Sequence, residues 1–294
     1  MQTSLRQKSI KFLARQAHIP YVGPIALWMV LFVVIPLAII LYFSFLQTGP
    51  LGQIIKSFTV KNFVDAFKGE HGLILIYTLI FAFTANLICL LLGYPLAYWV
   101  STRGGRWKTL LLFLIVIPSW TNYLIRLYGL RTLLGHTGIV NSVLLNLGLI
   151  SSPLEILYTP SAVMFGLVYT WLPFMVLPIY ASLVGLDSSL LEAADDLGAT
   201  PIRKFFTVTL PLTKGGIFAG TILVFIPVLG DWLVPSILGG AKIMMAGSLV
   251  EHYFIKIGNI PAGSSIATLI TAIVLLVVYL GLKLGGREVL ERII

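Results

Sequence analysis

Residues 190–200 read LLEAADDLGAT, with three carboxylates among leucine, alanine and glycine. They stand in a chain of 294 residues that is 58% hydrophobic and only 11% charged, with a mean hydropathy of +0.97. These values lie outside the range of soluble globular domains and indicate a membrane protein. A charged segment with helical spacing inside such a chain therefore decides which kind of membrane protein this is.

Six apolar stretches are long enough to cross a membrane, because about 20 helical residues span the roughly 30 Å of hydrocarbon. They lie at residues 22–46, 74–100, 108–128, 161–184, 215–239 and 263–284. Helices are expected because lipid offers backbone N–H and C=O groups no partner, and these stretches lack the alternation of barrel strands. The sequence therefore predicts an all-α, polytopic protein with six transmembrane helices.

Basic residues are distributed unevenly among the connecting segments. With the N-terminus inside, cytoplasmic segments hold 13 of the 20 Lys and Arg residues and external loops hold six, with Arg126 inside the third stretch. Because basic residues accumulate in cytoplasmic loops, both termini are expected in the cytoplasm. The expected organisation is a cytoplasmic segment 1–21, a membrane domain 22–284 and a cytoplasmic tail 285–294. The first stretch has no small-residue cleavage site and is expected to remain as an anchor.

Composition also argues against several function classes. The net charge of +9 follows from the loop bias and does not indicate nucleic-acid binding. The one cysteine, Cys89, excludes an intramolecular disulfide and a cysteine-based metal cluster. The chain has no G-x-x-x-x-G-K-[ST] phosphate loop, so it is not expected to be an enzyme, and no cofactor is expected in it. The four histidines are scattered without the spacing of a metal site, at His18, His71, His136 and His252.

The acidic segment falls in the connection between the fourth and fifth stretches, residues 185–214, which this topology places in the cytoplasm. Ser189 followed three residues later by Glu192 predicts a capping box at the start of a short helix. Gly198 suits a C-terminal cap, and the Thr-Pro pair that follows it predicts the start of a second helix. The loop is therefore expected to be a helix, a glycine turn and a second short helix that ends at Pro211.

Two interpretations of the charges in this loop are open. Carboxylates are stabilised near a helix N-terminus by the macrodipole, and capping alone would account for Glu192. Capping does not account for the small residues Ala193, Ala194 and Gly198, which are expected together on the surface of the helix pair. Because small side chains allow another body to approach closely, they favour a docking surface.

The stretch EAADDLGATPIRKFFTVTLP, residues 192–211, resembles the EAA loop of ABC-importer permeases. The matching positions are Glu192, Ala193, Ala194, Gly198, Leu210 and Pro211. Val208 departs mildly from the pattern, since this family usually has isoleucine there. The resemblance implies a type I ABC-importer permease fold. It also implies that the loop forms a coupling helix, which docks in a groove of a cytoplasmic ATPase subunit and transmits its closure to the membrane helices.

Longer stretches resemble the spermidine/putrescine-type permeases in particular. They are LLGYPLAYWV at 91–100, IPSWTNYLIRLYGL at 117–130, PSAVMFGLVYTWLPFMVLPIY at 160–180, PLTKGGIFAGTILVFIP at 211–227 and GDWLVPSILGG at 230–240. One departure is Ile260, which stands where an aromatic residue is expected in that subgroup.

This second resemblance implies a permease for polyamines in the bacterial cytoplasmic (inner) membrane. It implies as partners two ATPase subunits, a second permease that is generally a different chain, and a periplasmic or extracellular solute-binding protein. ATP and Mg²⁺ would then be bound by the ATPase and not by this chain. Two other functions stay open, namely a permease for another small solute and an independent secondary transporter or channel.

A passage for polyamines should offer carboxylates or aromatic faces to ammonium groups. Asp231 is the main candidate, because a carboxylate within an apolar stretch is costly unless it faces a cavity or a partner. Pro227, Gly230 and Pro235 surround it and are expected to interrupt the helix. The alternative is that Asp231 is hydrated at the outer end of the fifth stretch. Aromatic candidates, which interfacial belts or core packing would equally explain, are Trp232, Trp120, Tyr123, Tyr169 and Trp171.

Three further features have simpler expected roles. Arg126 is expected to reach toward the membrane surface or to pair with a carboxylate. Glu251, in the last external loop, is interpreted as an ordinary solvated charge, with contact to a binding protein as the alternative. Residues 138–150, GIVNSVLLNLGLI, are predicted to form a short interfacial helix.

Overall fold

The computed structural model describes residues 19–50 and 52–285. Most of the expected cytoplasmic segment 1–21, including His18, lies outside the described residues, and so does the tail beyond Gly285. Within the described part the regular structure is helical except for a two-stranded β-hairpin. The predicted all-α fold is therefore confirmed, with the hairpin as an addition that the hydropathy pattern did not indicate.

The first half of the chain contains long helices, short helices and the hairpin. Its elements are α1 (Gly23–Ser44), β1 (Leu46–Thr48), β2 (Ile54–Phe58), α2 (Lys61–Ala66), α3 (Gly69–Arg103), α4 (Lys108–Trp120), α5 (Tyr123–Leu134) and α6 (Ile139–Asn146). α1 is the apolar part of a helix that begins at Ile19. β1 and β2 are antiparallel, and α6 confirms that a short helix forms within residues 138–150.

The second half of the chain contains the loop with the acidic segment. Its elements are α7 (Pro160–Val184), α8 (Ser188–Asp196), α9 (Pro201–Leu212), α10 (Lys214–Gly230), α11 (Leu233–Leu238), α12 (Ala246–Glu251) and α13 (Ile260–Gly285). A π-helical turn lies within α9 at Phe205–Thr209, and another follows α12 at His252–Ile257. α9 therefore runs one residue past Pro211, where the sequence predicts its end.

Among the described residues, four helices are long and apolar enough to cross a membrane singly, namely α1, α3, α7 and α13. Two further crossings are possible if each of two bent helix pairs counts as one span, which gives six by length and composition. Four of the predicted stretches therefore correspond to continuous helices. The third and fifth stretches do not, and each is interrupted for a local reason.

The third predicted stretch, 108–128, is not one helix. The helical segment from Gly105 ends at Trp120, and the chain then turns by 95° into α5. The Asn122 side chain accepts hydrogen bonds from the backbone N–H groups of Leu124 and Ile125, at 2.9 and 3.4 Å, and so caps the new helix. At about 1.5 Å per residue, the 16 residues before the turn reach about 24 Å, less than the thickness of the hydrocarbon.

The fifth predicted stretch, 215–239, is also broken. α10 ends at Gly230, and α11 resumes at Leu233, with Asp231 as the residue that ends the first helix. This interruption confirms the expectation drawn from the prolines and glycine around Asp231. At its other end α10 meets α9 at an angle of 63°, with Thr213 between them.

α7 lies at the centre of the bundle, packed between α3 and α10, while α13 packs against α1. Cys89, Leu167, Met175 and Val224 are fully buried where α3, α7 and α10 meet. In its most apolar window α7 is 56% buried, whereas the corresponding window of α1 is 0% buried. Since such a long, unburied apolar surface is not compatible with water, α1 faces lipid or another membrane chain.

Candidate functional site

The loop 185–214 is a pair of helices, and the N-cap of its first helix is Asp187 and not Ser189. The backbone N–H of Ser189 donates to Oδ1 of Asp187 at 2.9 Å, so Asp187 is the N-cap of α8. This hydrogen bond holds the pKa of the Asp187 carboxyl below its usual range. The predicted capping box between Ser189 and Glu192 is wrong, because Ser189 already lies inside the helix.

Gly198 and Thr200 have the roles that the sequence predicts. Gly198 adopts a left-handed conformation, with φ of 70°, directly after Leu197, the C-cap residue of α8. Its N–H donates to Asp195 O at 2.8 Å and that of Ala199 donates to Ala194 O at 3.0 Å, which closes the helix. Thr200 then caps α9 through its hydroxyl, which accepts from Arg203 N at 3.3 Å.

An ion pair joins the two helices of the loop. Lys204 Nζ lies 2.6 Å from Oδ1 and 2.7 Å from Oδ2 of Asp195, and the lysine side chain is only 23% exposed. This ion pair could not be predicted from the sequence. Lys204 lies nine positions after Asp195, across a turn and not at helical spacing. The pair links α8 to α9 across the glycine turn and so supports the angle between them.

The end of the helix pair carries exposed aliphatic side chains. Leu197 is 88% exposed and Ile202 is 74% exposed on the two sides of the glycine turn, and Leu190 of α8 is 47% exposed. We call these three residues the apolar tip. Glu192 and Ala193 are exposed beside it, but the expectation that Ala194 lies on the surface is wrong. Ala194 is 8% exposed, because it is on the face of α8 that packs against the rest of the loop.

Phe205 connects the loop to the membrane helices. Its ring makes edge contacts with the rings of Tyr94 and Tyr98 of α3, with centroids 5.5 and 5.7 Å apart. The hydroxyl of Tyr94 hydrogen-bonds Oγ1 of Thr213, 2.8 Å away at the bend between α9 and α10. The loop is thus joined to α3 and α10 through two ring contacts and one hydrogen bond.

The last two matched positions, Leu210 and Pro211, lie far along α9 from the apolar tip. Pro211 has no N–H, and its ring excludes the preceding carbonyls from normal α-helical geometry. The chain responds with the π-helical turn, in which Leu210 N donates to Phe205 O. Leu210 packs against the main core, so these positions shape the connection to the membrane and not the exposed end.

Asp231 forms the second candidate site, together with two of the aromatic candidates. It is 6% exposed, and its Oδ2 accepts from Tyr123 Oη at 2.5 Å and from Trp171 Nε1 at 3.4 Å. Its Oδ1 accepts from the backbone N–H groups of Leu233 and Val234, both at 3.1 Å, which caps α11. We call Tyr123, Trp171 and Asp231 the three-helix cluster, because they join α5, α7 and the break before α11.

The backbone of α12 packs closely against the break between α10 and α11. A Cβ atom on Gly247 of α12 would lie 2.3 Å from the carbonyl oxygen of Gly230 and 2.9 Å from the carbonyl carbon of Asp231. Only glycine fits there, so α12 lies directly against the interruption between α10 and α11.

The other pathway candidates are not part of the cluster. Trp120 is 70% exposed and contacts Phe113 edge-on at 5.1 Å, while Tyr169 is half-buried against the core. Trp232 is 42% exposed and lines a separate cavity. Arg126 lies over the ring of Tyr123, with Cζ 5.6 Å from the centroid, and makes no ion pair with a described carboxylate. Pairing with a carboxylate, one of the two roles expected for Arg126, is thus not found in the part of the chain that the structure describes.

Comparison with known proteins agrees with this architecture. Residues 90–285 match the family described as the binding-protein-dependent transport system inner membrane component. The spermidine/putrescine transport system permease protein PotB of Haemophilus influenzae is 41% identical over 265 residues, covering 89% of this chain and 93% of that protein. PotB of Escherichia coli K12 is 40% identical, with 89% and 96% covered. The E. coli inner membrane ABC transporter permease protein YdcU is 31% identical, with 79% and 78% covered.

Solved structures share the fold at low sequence identity. A chain of a bacterial alginate ABC transporter, in complex with an alginate pentasaccharide-bound periplasmic protein, superposes with a TM-score of 0.75 at 16% identity. The match covers 95% of this chain and 97% of that one. A chain of the MetNI methionine ABC transporter in an inward-facing conformation gives 0.57 at 18% identity, covering 76% and 99%. At such identities the likeness concerns the fold alone.

Proposed function

Because the chain belongs to the family of binding-protein-dependent transport system inner membrane components, we propose that it is the transmembrane permease subunit of a polyamine importer driven by ATP. The proposed substrate class rests on the PotB proteins, whose names state spermidine/putrescine transport and which align with nearly nine-tenths of this chain. The family is one of transport components and not of enzymes, so ATP and Mg²⁺ are proposed to bind to a separate ATPase subunit.

The observation that carries the coupling role is the shape of the loop 185–214. Its apolar tip consists of aliphatic side chains that none of the described residues covers, with Leu197 88% exposed. The Asp195–Lys204 ion pair and the caps of both helices hold that tip in one orientation. A rigid helix pair with an uncovered apolar end is suited to insertion into a groove of a partner, here the cytoplasmic ATPase.

We propose that specific contacts transmit the movement of the ATPase subunits to the membrane helices. Closure of two ATPase subunits would move the loops of two permease subunits toward each other. Phe205 and the Tyr94–Thr213 hydrogen bond would pass that motion to α3 and α10. A rigid-body rotation of this kind exchanges inward-facing and outward-facing states around a central pathway. The second permease, proposed to be a different chain, completes that pathway, and an external solute-binding protein delivers the substrate.

The proposed location is the bacterial inner membrane, with several crossings and with both termini in the cytoplasm. The basis for this orientation is the excess of Lys and Arg in alternate connecting segments, 13 against six. It puts the apolar tip on the cytoplasmic side, where the ATPase is, and the cluster around Asp231 near the outer side.

Reconstitution in proteoliposomes tests the proposal. This chain, a second permease, the ATPase and the solute-binding protein encoded with it are combined, and uptake of radiolabelled spermidine is measured with and without ATP. We expect uptake only when all components and ATP are present. Uptake of a different solute and not of spermidine would overturn the polyamine assignment. Uptake by the purified chain alone would instead support a secondary transporter.

A further inference from the structure

A cavity beside the break in the fifth span combines a carboxylate with aromatic and aliphatic walls. It has a volume of about 410 Å³ and lies between α12, the π-helical turn that follows it, and α13. Trp232, Phe254, Val250 and Ile270 contribute apolar walls, and Glu251 contributes the charge. Its volume falls within the range of roughly 300–1,000 Å³ that small-molecule pockets occupy.

Glu251 is not the ordinary solvated charge that the sequence analysis expects. Its side chain is only 14% exposed, although glutamate is seldom buried unless it is paired. Its partner is Lys256, with Nζ 3.3 Å from Oε2, but that lysine is 60% exposed. Because the ammonium group of Lys256 is mostly in solvent, another cation can take its place beside the carboxylate at small cost.

Asp231 cannot act in the same way in this conformation. Both of its oxygens accept hydrogen bonds from the protein, two from backbone N–H groups and two from Tyr123 and Trp171. Donors of the protein itself therefore occupy both oxygens of Asp231, whereas Lys256 is the one ion-pair partner of Glu251 among the described residues. The two sites are adjacent in the fold, because Trp232 follows Asp231 and its side chain lines the cavity.

We propose that this cavity binds one ammonium end of the transported polyamine, with Glu251 as its counter-ion and Trp232 and Phe254 as the aromatic faces. This inference rests on the proposed function and names the substrate contact within it. An aliphatic polyamine alternates ammonium groups with methylene segments. The carboxylate pairs with the former, and the aromatic and aliphatic walls take up the latter through cation–π contact and apolar burial.

Substitutions of the ion pair test the site in the reconstituted importer. The measurements are the uptake rate of radiolabelled spermidine at saturating solute-binding protein and the ATP hydrolysed per spermidine imported. We expect Glu251→Gln to lower uptake at least about tenfold while ATP hydrolysis continues. Lys256→Gln should leave uptake equal to or above that of the wild type, because it removes the competing cation. If the pair were merely structural, both substitutions would reduce uptake alike, and that result would overturn the proposal.

A matched control and a second variant complete the test. Glu155→Gln removes the same charge from an exposed position of another loop and should leave uptake unchanged. If Glu251→Gln fails to assemble, Phe254→Leu keeps the charge and removes one aromatic face, and it should lower uptake severalfold. Normal uptake by the Phe254 variant, or by an assembled Glu251→Gln importer, overturns the site.

The failure of this site is distinguishable from the failure of the proposed function. A wild-type importer that takes up no spermidine contradicts the polyamine assignment itself. A wild-type importer that takes up spermidine, together with a Glu251→Gln importer that does so equally well, contradicts only the site.

Discussion

At the scale of single residues, Gly198 determines the direction in which the second helix of the loop 185–214 leaves the first. Its φ of 70° lies in the left-handed region, which costs other L-residues roughly 1–2 kcal/mol, and asparagine less than most. A Cβ atom at this position would have no atom of the described residues within 4 Å outside its own turn. Any effect of a substitution must come from the backbone conformation or from contact with a partner.

We predict that Gly198→Val reduces recruitment of the ATPase about tenfold, because a β-branched residue disfavours the turn and adds bulk next to the apolar tip. Gly198→Asn is the matched control, since asparagine tolerates the left-handed region, and it should retain most of the binding. Co-purification of the ATPase with each variant measures the effect, and membrane insertion should be normal in both. Wild-type recruitment by the valine variant would contradict a docking role for the loop.

The three-helix cluster leads to a prediction about stability. Tyr123→Phe removes the hydroxyl that donates to the buried Asp231 carboxylate, and hydrogen bonds to charged groups contribute about 1.5–3 kcal/mol. We expect a lower Tm in detergent than for the wild type. Tyr128→Phe, a half-exposed change on the same helix, should leave the Tm unchanged. Equal Tm values for Tyr123→Phe and the wild type would show that the bond does not stabilise the fold.

Local chemistry decided which of these residues could be predicted from sequence. Gly198 as a helix end and Thr200 as a cap follow from rules that involve a few neighbouring positions. Asp231 was selected for its cost in an apolar stretch, but its side-chain donors come from α5 and α7, whose approach only the tertiary structure reveals. The same holds for Glu251, because its low exposure is created by residues of α13.

At the scale of elements, α9 is the part that joins the exposed tip to the membrane helices. Its π-helical turn, its contact with α3 through Phe205 and its 63° angle to α10 make one continuous connection. Hydropathy alone could not predict this connection or the two broken spans. Mean hydropathy reports that a stretch is apolar, whereas the breaks depend on side-chain caps such as those of Asn122 and Asp231.

We predict that Phe205→Ala separates ATP hydrolysis from transport. Without the ring, the loop still binds the ATPase but loses its contact with Tyr94 and Tyr98, so less of its motion reaches α3. The number of ATP molecules hydrolysed per spermidine imported should rise severalfold in the reconstituted importer. The neighbouring Phe206→Ala is the control, because Phe206 is 61% exposed, and its ratio should equal that of the wild type. An unchanged ratio in Phe205→Ala would contradict the proposed route.

At the scale of the whole molecule, the arrangement has a central helix, α7, and a peripheral helix, α1, whose apolar window is 0% buried within this chain. Four of the six predicted crossings correspond to continuous helices, because the length that a span needs follows directly from the hydrocarbon thickness, and the other two require that each bent pair counts as one span. The orientation was predicted from Lys and Arg alone, and the helices themselves do not record on which side each loop lies.

Cysteine labelling tests that orientation. Cys89 is the one cysteine of the chain, so a Cys89→Ala background has no native thiol. In intact spheroplasts a membrane-impermeant maleimide should label Phe58→Cys, in the exposed hairpin, and should label Leu197→Cys only after permeabilisation. The reverse pattern would place the apolar tip outside and would exclude contact with a cytoplasmic ATPase.

The cluster of Tyr123, Trp171 and Asp231 also restricts how the molecule can change shape. These residues tie α5, α7 and the start of α11 together, and Gly247 adds α12 through direct backbone contact. At this cluster the four helices keep fixed distances from one another as long as the hydrogen bonds persist. In the proposed transport cycle, α9 and α10 would change their relative angle at Thr213, which lies between them, while the cluster around Asp231 stays intact.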